Sequence, residues 1–280
     1  MFFRVTRPAT VAALVIAFGL ACLPACKKKP KIAEPDSPNT TPAPGPGIPA
    51  PNSGATRDPA APRSPVFGGS DPRTAGMRVI AEGDMKQILL ALQNYESANG
   101  TFPGGYAGKD GTLGLSWRVA ILPYIQEDNL FKLFKLDEAW DSPTNKPLIS
   151  KMPKMFAPPR ESTNGYTFYR GFTGQNTWLP PQQGARPGQS LAGAKIAQFT
   201  DGTSNTIVVA EAYEPVIWTK PDEMQFDPNN VPKLGGVFAS GFHAGLADGS
   251  VRFVRPGALS PKALANAIQI NDGNIVDWGD

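Results

Sequence analysis

Residues Met77–Gly100, MRVIAEGDMKQILLALQNYESANG, decide the fold. Ile80, Met85, Ile88, Leu89, Leu92 and Tyr95 recur at three- and four-residue steps, while Glu82, Lys86, Gln93 and Glu96 fall mostly elsewhere. That spacing predicts one helix with one apolar stripe. Gly100 is a C-terminal stop, and the following Thr101-Phe102-Pro103-Gly104-Gly105 cannot continue a regular helix. A lone helix cannot bury its stripe, so the aromatic and β-branched segments downstream must pack against it.

Downstream, Ser116–Leu136 opens with Trp117, Val119, Ile121 and Leu122 as a strand or a helix start. Pro123 suits an early helical position, and Tyr124, Ile125, Leu130, Phe131 and Phe134 form a second apolar helical surface. Ala139–Asn145 is an aromatic contact followed by a turn, Tyr166–Tyr169 has strand character, and Gly171–Gln189 reads as a loop. Residues 196–210, IAQFTDGTSNTIVVA, read as two strands around an Asp201-Gly202-Thr203 turn. Glu211–Pro232 is rich in turn residues, with Trp218 available for a core or groove. Gly235–Val254 again predicts two strands, around Asp248-Gly249-Ser250. Ser260 and Pro261 then stand as N-cap and first residue of a short helix. The expected class is α+β, an N-terminal helix on a small antiparallel sheet with long irregular loops.

Upstream, the chain of 280 residues begins MFFRVTRPATVAALVIAFGLACLPACKKKP. Arg4 and Arg7 make a positive n-region, and Val11–Leu23 makes an apolar segment short for a spanning helix. Leu23-Pro24-Ala25-Cys26 resembles the lipobox of bacterial lipoproteins, with cleavage before a cysteine that takes lipid on its sulfur. Cys22 is the alternative point; Cys26 allows the longer apolar segment and is followed by Lys27, Lys28 and Lys29. Both cysteines of the chain lie here, which fits an anchor rather than a disulfide. An uncleaved membrane anchor is the other reading. Proline-rich residues 27–70 bring little surface to bury. As an extended tether, about 40 such residues reach on the order of 100 Å. The resulting division is a signal at 1–25, a lipidated cysteine and disordered tether at 26–75, and an α+β domain at 76–280. The folded body then sits outside the cytoplasm, lipid-tethered to a membrane.

The charge balance is 27 basic against 24 acidic side chains, +3 overall, and +1 once Arg4 and Arg7 are removed. That does not point to nucleic acid as a partner. His243 is the only histidine, too few for an all-histidine metal site, and reads as structural or surface. Ser204 lacks the spacing of a nucleophile elbow, and Lys195 and Lys220 have no partner visible in sequence. Asp201, Asn205, Asp222 and Asp248 are oxygen donors able to meet around a hard cation, calcium being the candidate. No other cofactor is expected.

Five segments in order, LALQNYESANGTFPGG, SWRVAILPYIQEDNLF, AWDSPTNKPL, DGTSNTI and ADGSVRFV, resemble the DUF1559 family of planctomycete bacteria over about residues 77–270. The resemblance implies a pseudopilin-like body and carries no settled enzymatic role; some pseudopilins bind calcium in a C-terminal loop. Two departures stand out. The N terminus offers Cys26 in place of a prepilin boundary. The family's histidine about ten residues before the final Asp-Gly is replaced by His243, five residues before Asp248. The expected function is a non-catalytic, lipid-anchored cell-envelope protein presenting its domain for protein assembly or binding. The alternative is an envelope hydrolase or carbohydrate-binding protein using the glycine-rich loops, recognisable by an acidic pair in a concave site.

Overall fold

The computed structural model describes residues 58–64, 67–68, 72–159, 163–181 and 184–278. The expected signal at 1–25, Cys22, Cys26 and the first part of the expected tether lie outside the described residues. In chain order the elements are α1 (Pro72–Asn99), β1 (Pro103–Ala107), β2 (Leu113–Leu115), α2 (Trp117–Ala120), α3 (Asp128–Phe131), β3 (Tyr166–Arg170) and β4 (Phe172–Thr173). There follow β5 (Ser190–Ala192), β6 (Ile207–Ile217), β7 (Met224–Gln225), β8 (Phe242–Leu246), β9 (Val251–Val254) and α4 (Pro261–Ile268).

Helix α1 starts five residues before Met77 and buries Met77, Ala81, Met85, Ile88, Leu89, Leu92 and Tyr95. Ile80, expected in this stripe, is instead 39% exposed. Five residues from Met85 is about 140° round the helix, so Ala81 takes the inward position. Gly100, at φ +76°, ends the helix as expected.

The main sheet is antiparallel in the order β3-β6-β8-β9, and a smaller antiparallel sheet has the order β2-β1-β5. Strands β4 and β7 pair in parallel. The first strand expected in 196–210 is absent: Ile196–Gln198 is a 3-10 turn. The second is far longer than expected, since β6 runs through Glu211 to Ile217. Pro215 is tolerated because the β3–β6 register shifts across this stretch, and a proline at such an irregularity removes no regular ladder bond.

Helix α1 lies directly on β8. A Cβ at Gly245 would stand 2.9 Å from both Leu89 methyl carbons and 3.1 Å from the Met85 sulfur, so only glycine admits the helix this closely. Gln93 ties the same faces by donating to the Ala247 carbonyl at 3.1 Å. On the opposite face Ile207, Ala210, Ala244 and Leu246 pack with Ala265, Ala267 and Ile268 of α4. Ser260 caps that helix by accepting from Ala263 N–H at 3.1 Å. The layers are therefore helix, sheet, helix, with long connecting loops.

The second helical surface expected over 116–136 is broken into α2, a 3-10 turn at Leu122–Ile125, and α3. Gln126 adopts a left-handed φ of 65° between the last two, which stops a continuous helix. Contacts with the body begin within the stretch 26–75 expected as tether. Tyr166 donates to Asp58, Ser64 Oγ donates to Tyr213 O at 2.5 Å, and Phe67 stacks on Phe238 at 5.4 Å. No helix among the described residues is long and apolar enough to cross a membrane.

Candidate partner-binding cleft

The four candidate cation ligands are distributed over different contacts. Asp201 and Asn205 share the DGTSN turn, where Asn205 Nδ2 donates to Asp201 O at 3.0 Å. The Asp201 carboxylate accepts Asp272 N–H at 2.6 Å and Gly273 N–H at 2.9 Å, clamping the C-terminal turn. Asp248 accepts from Ser250 N–H at 2.9 Å and Oγ at 2.6 Å, while its own N–H reaches Thr203 O at 3.1 Å. Asp222 belongs to a separate cluster, with Arg170 at 3.1 Å and Lys220 at 2.8 Å. Burial raises the Asp222 pKa, but the Lys220 hydrogen bond and the Arg170 and Lys220 charges outweigh it and hold the group below the usual carboxylate value. Among the described residues no three His, Cys, Asp or Glu side chains gather to hold a metal ion. Lys220 thus has a partner, two residues away, that the sequence reading missed.

His243 is buried between α1 and the sheet. Glu211 on β6, fully buried, accepts His243 N–H at 2.8 Å through Oε2 and faces Nδ1 at 3.0 Å through Oε1. Phe238 and Phe253 hold the imidazole edge-on at 5.6 and 4.9 Å. A carboxylate at Nδ1 fixes the orientation of the ring and leaves Nε2 as its second functional atom. Nε2 has no hydrogen-bond partner among the described residues, and the side chain lines an open cleft. Nearby Tyr169 is pushed well above the ordinary tyrosine value by burial, then by the charges of Glu211 and Asp84.

Asp84, half-buried on α1, is pushed up to about 6 by burial. Folded chains therefore hold a proton that unfolded chains release, and stability falls as pH rises from about 4 through 6. The shift is worth ~3 kcal/mol at full burial and about 1 kcal/mol after solvent screening of a half-exposed group. Asp84→Asn is expected to be about 1 kcal/mol more stable than wild type at pH 7.5 and equal to it near pH 4. Urea denaturation across that range checks this; a pH-independent difference would sink it.

The cleft over His243 has a volume of about 590 Å³. Arg78 and Glu82 of α1 form one wall, Arg252 of β9 and the following Arg255 form another, and Trp278 closes one end. Arg78 lies over the Phe253 ring at 4.8 Å and Arg252 over Trp278 at 5.1 Å. Stacking holds a guanidinium by its face, so its in-plane N–H groups stay directed sideways. Three guanidinium groups against one carboxylate make this cleft attractive to anions.

A second concavity, of about 620 Å³, has Asp110, Asp137 and Glu138 beside Trp140. This is the acidic grouping sought for the hydrolase alternative. Hydrogen bonds from Thr112 hold Asp110 low, and hydrogen bonds from Lys109, Ser142 and Thr144 hold Glu138 low. Neither is thereby poised as a proton donor, for which a raised carboxyl is needed.

No curated protein and no solved structure matches the chain. A family model described as "Protein of unknown function (DUF1559)" matches residues 73–236, which include α1 from its second residue, both antiparallel sheets up to β6, and the wall of the cleft formed by Arg78. The chain therefore belongs to the DUF1559 family, with a mixed α+β domain.

Proposed function

We propose that this protein is a non-catalytic, lipid-anchored component of the cell envelope that presents its α+β domain for protein assembly or binding. The observation that carries the reading is Leu23-Pro24-Ala25-Cys26, at the end of an apolar segment and ahead of a proline-rich stretch, in a chain with no cysteine beyond it. Several acyl chains hold a protein stably on a bilayer, and the proline-rich stretch sets the domain away from it. Binding is supported by the arginine-lined cleft. The pseudopilin-like body that the family resemblance implies is in keeping with assembly with other proteins, although Cys26 stands in place of a prepilin boundary.

The test is intact mass and membrane fractionation in a lipoprotein-processing host. Wild type is expected to begin at an acylated Cys26 and to sediment with membranes. Cys26→Ala is expected to lose the lipid mass and either release or stay unprocessed, whereas Cys22→Ala is expected to behave as wild type. An unlipidated wild-type chain would refute the anchor.

Carbohydrate binding is the second reading, favoured by Trp140 beside the three carboxylates of the second concavity. An aromatic face and carboxylate acceptors suit a sugar's C–H face and hydroxyl groups.

A further inference from the structure

The arginine-lined cleft includes the outer edge of the main sheet. In the order β3-β6-β8-β9, strand β9 pairs with β8 alone among the described residues. Leu246 N–H donates to Ser250 O at 2.8 Å. An antiparallel ladder alternates bonded and non-bonded pairs, which makes Ala244–Arg252 and Phe242–Val254 the next bonded ones. The peptide groups of Val251 and Phe253 consequently point away from β8. No backbone partner for them is found among the described residues. Such an edge is a template for another extended chain.

The side chains around this edge state what kind of chain it accepts. Arg252 and Arg255 flank it, and Arg78 reaches it from α1, stacked on Phe253. Neither Arg78 nor Arg255 forms a salt bridge among the described residues. The cleft's carboxylate, Glu82, is engaged with Lys86 at 2.6 Å. An incoming strand as long as β9 would span about 13 Å, at roughly 3.3 Å per residue, and place alternate side chains toward the arginines.

We infer that β9 is a docking edge for a short, extended, acidic segment of a partner protein, which adds as a fifth strand with its carboxylates held by Arg78 and Arg255. Main-chain hydrogen bonds to Val251 and Phe253 supply the pairing, and the guanidinium groups select acidic side chains. This deepens the proposed binding role and is independent of the lipid anchor.

The probe is a labelled short peptide of alternating glutamate and valine, titrated by fluorescence anisotropy against the full chain in mild detergent. Binding is expected, weakening as salt rises. Arg78→Glu and Arg255→Glu are each expected to weaken it by about tenfold or more. Arg255 is exposed, so its variant keeps the fold. The matching lysine–valine peptide is expected not to bind, and N-methylation of alternate peptide amides is expected to abolish binding. No binding up to about 1 mM peptide, the weak end of specific contacts, would overturn the inference. Undiminished binding by the N-methylated peptide would do the same, as would equal competition by free glutamate, which would mark a small-anion site. A failed Cys26→Ala result leaves this measurement unaffected, so the two readings fail separately.

Discussion

Arg118→Ala is expected to lose about 3–5 kcal/mol of folding stability, because it strands a buried carboxylate. Arg118 is fully buried and reaches both oxygens of Glu223, at 2.8 and 3.1 Å. Its remaining donors are used on Tyr169 O at 2.9 and 2.8 Å and on Ser116 Oγ at 2.6 Å. Glu223 also accepts Gly171 N–H at 2.6 Å. One guanidinium thus joins the start of α2, the strand β3 and the segment leading into β7. Burial pulls its pKa below the ordinary value and the Glu223 charge pulls it back, so the charged pair is stable only as a pair. For a domain of this size the loss corresponds to a fall of about 6–20 °C in Tm. A double variant, Arg118→Met with Glu223→Leu, is expected to be more stable than Arg118→Ala, since it removes both charges and refills the space. Calorimetry of the three proteins checks the order. An alanine variant within about 1 kcal/mol of wild type would show that water or rearrangement rescues Glu223.

Arg118 also illustrates what sequence could not supply. It stands in SWRVAIL, where the apolar neighbours are readable, but its partner is 105 residues away and nothing local marks the pair. Features set by nearby residues were legible. The inward face of α1 follows its spacing except at Ile80, Gly100 ends it, Asp248-Gly249-Ser250 turns β8 into β9, and Ser260 caps α4. In β6 the polar Glu211 and Glu214 and Pro215 imitate a turn-rich stretch, and pairing with β3 on one side and β8 on the other overrides that local preference. Asp201 has the local signature of a turn former, yet its carboxylate is used 71 and 72 residues away at Asp272 and Gly273.

The candidate site was less legible than the fold. His243 was visible as the lone histidine, but Glu211 as its partner depends on the register of β6 against β8. Arg78, Arg252 and Arg255 belong to no shared motif, since α1 packing and the outer position of β9 bring them together. Alternation in Val251-Arg252-Phe253-Val254 indicated a strand with two faces, and only the strand order shows that it is an edge.

Trp218→Ala is expected to cost a further large amount, about 3–5 kcal/mol, through a cavity at the point where the irregular half of the domain is fastened. Trp218 is fully buried just after β6. Phe156 stacks on it at 5.9 Å, Phe134 meets it edge-on at 5.8 Å, and its Nε1–H donates to Ile149 O at 2.9 Å. Those three residues come from the long stretch after α3, which contains 3-10 turns at Lys146–Lys151 and Lys154–Phe156 and, among its described residues, no strand. Lacking a ladder, this stretch is held by side chains converging on one indole. Trp218→Phe keeps a ring between Phe134 and Phe156 but leaves Ile149 O without its donor, and is expected to lose about 1–3 kcal/mol. Limited proteolysis distinguishes this from general loosening: cleavage of the alanine variant is expected first within residues 132–156, while amides of α1 against β8 stay protected from exchange. Loss of protection spread evenly over both regions would mean that Trp218 supports the whole core rather than fastening this stretch to it.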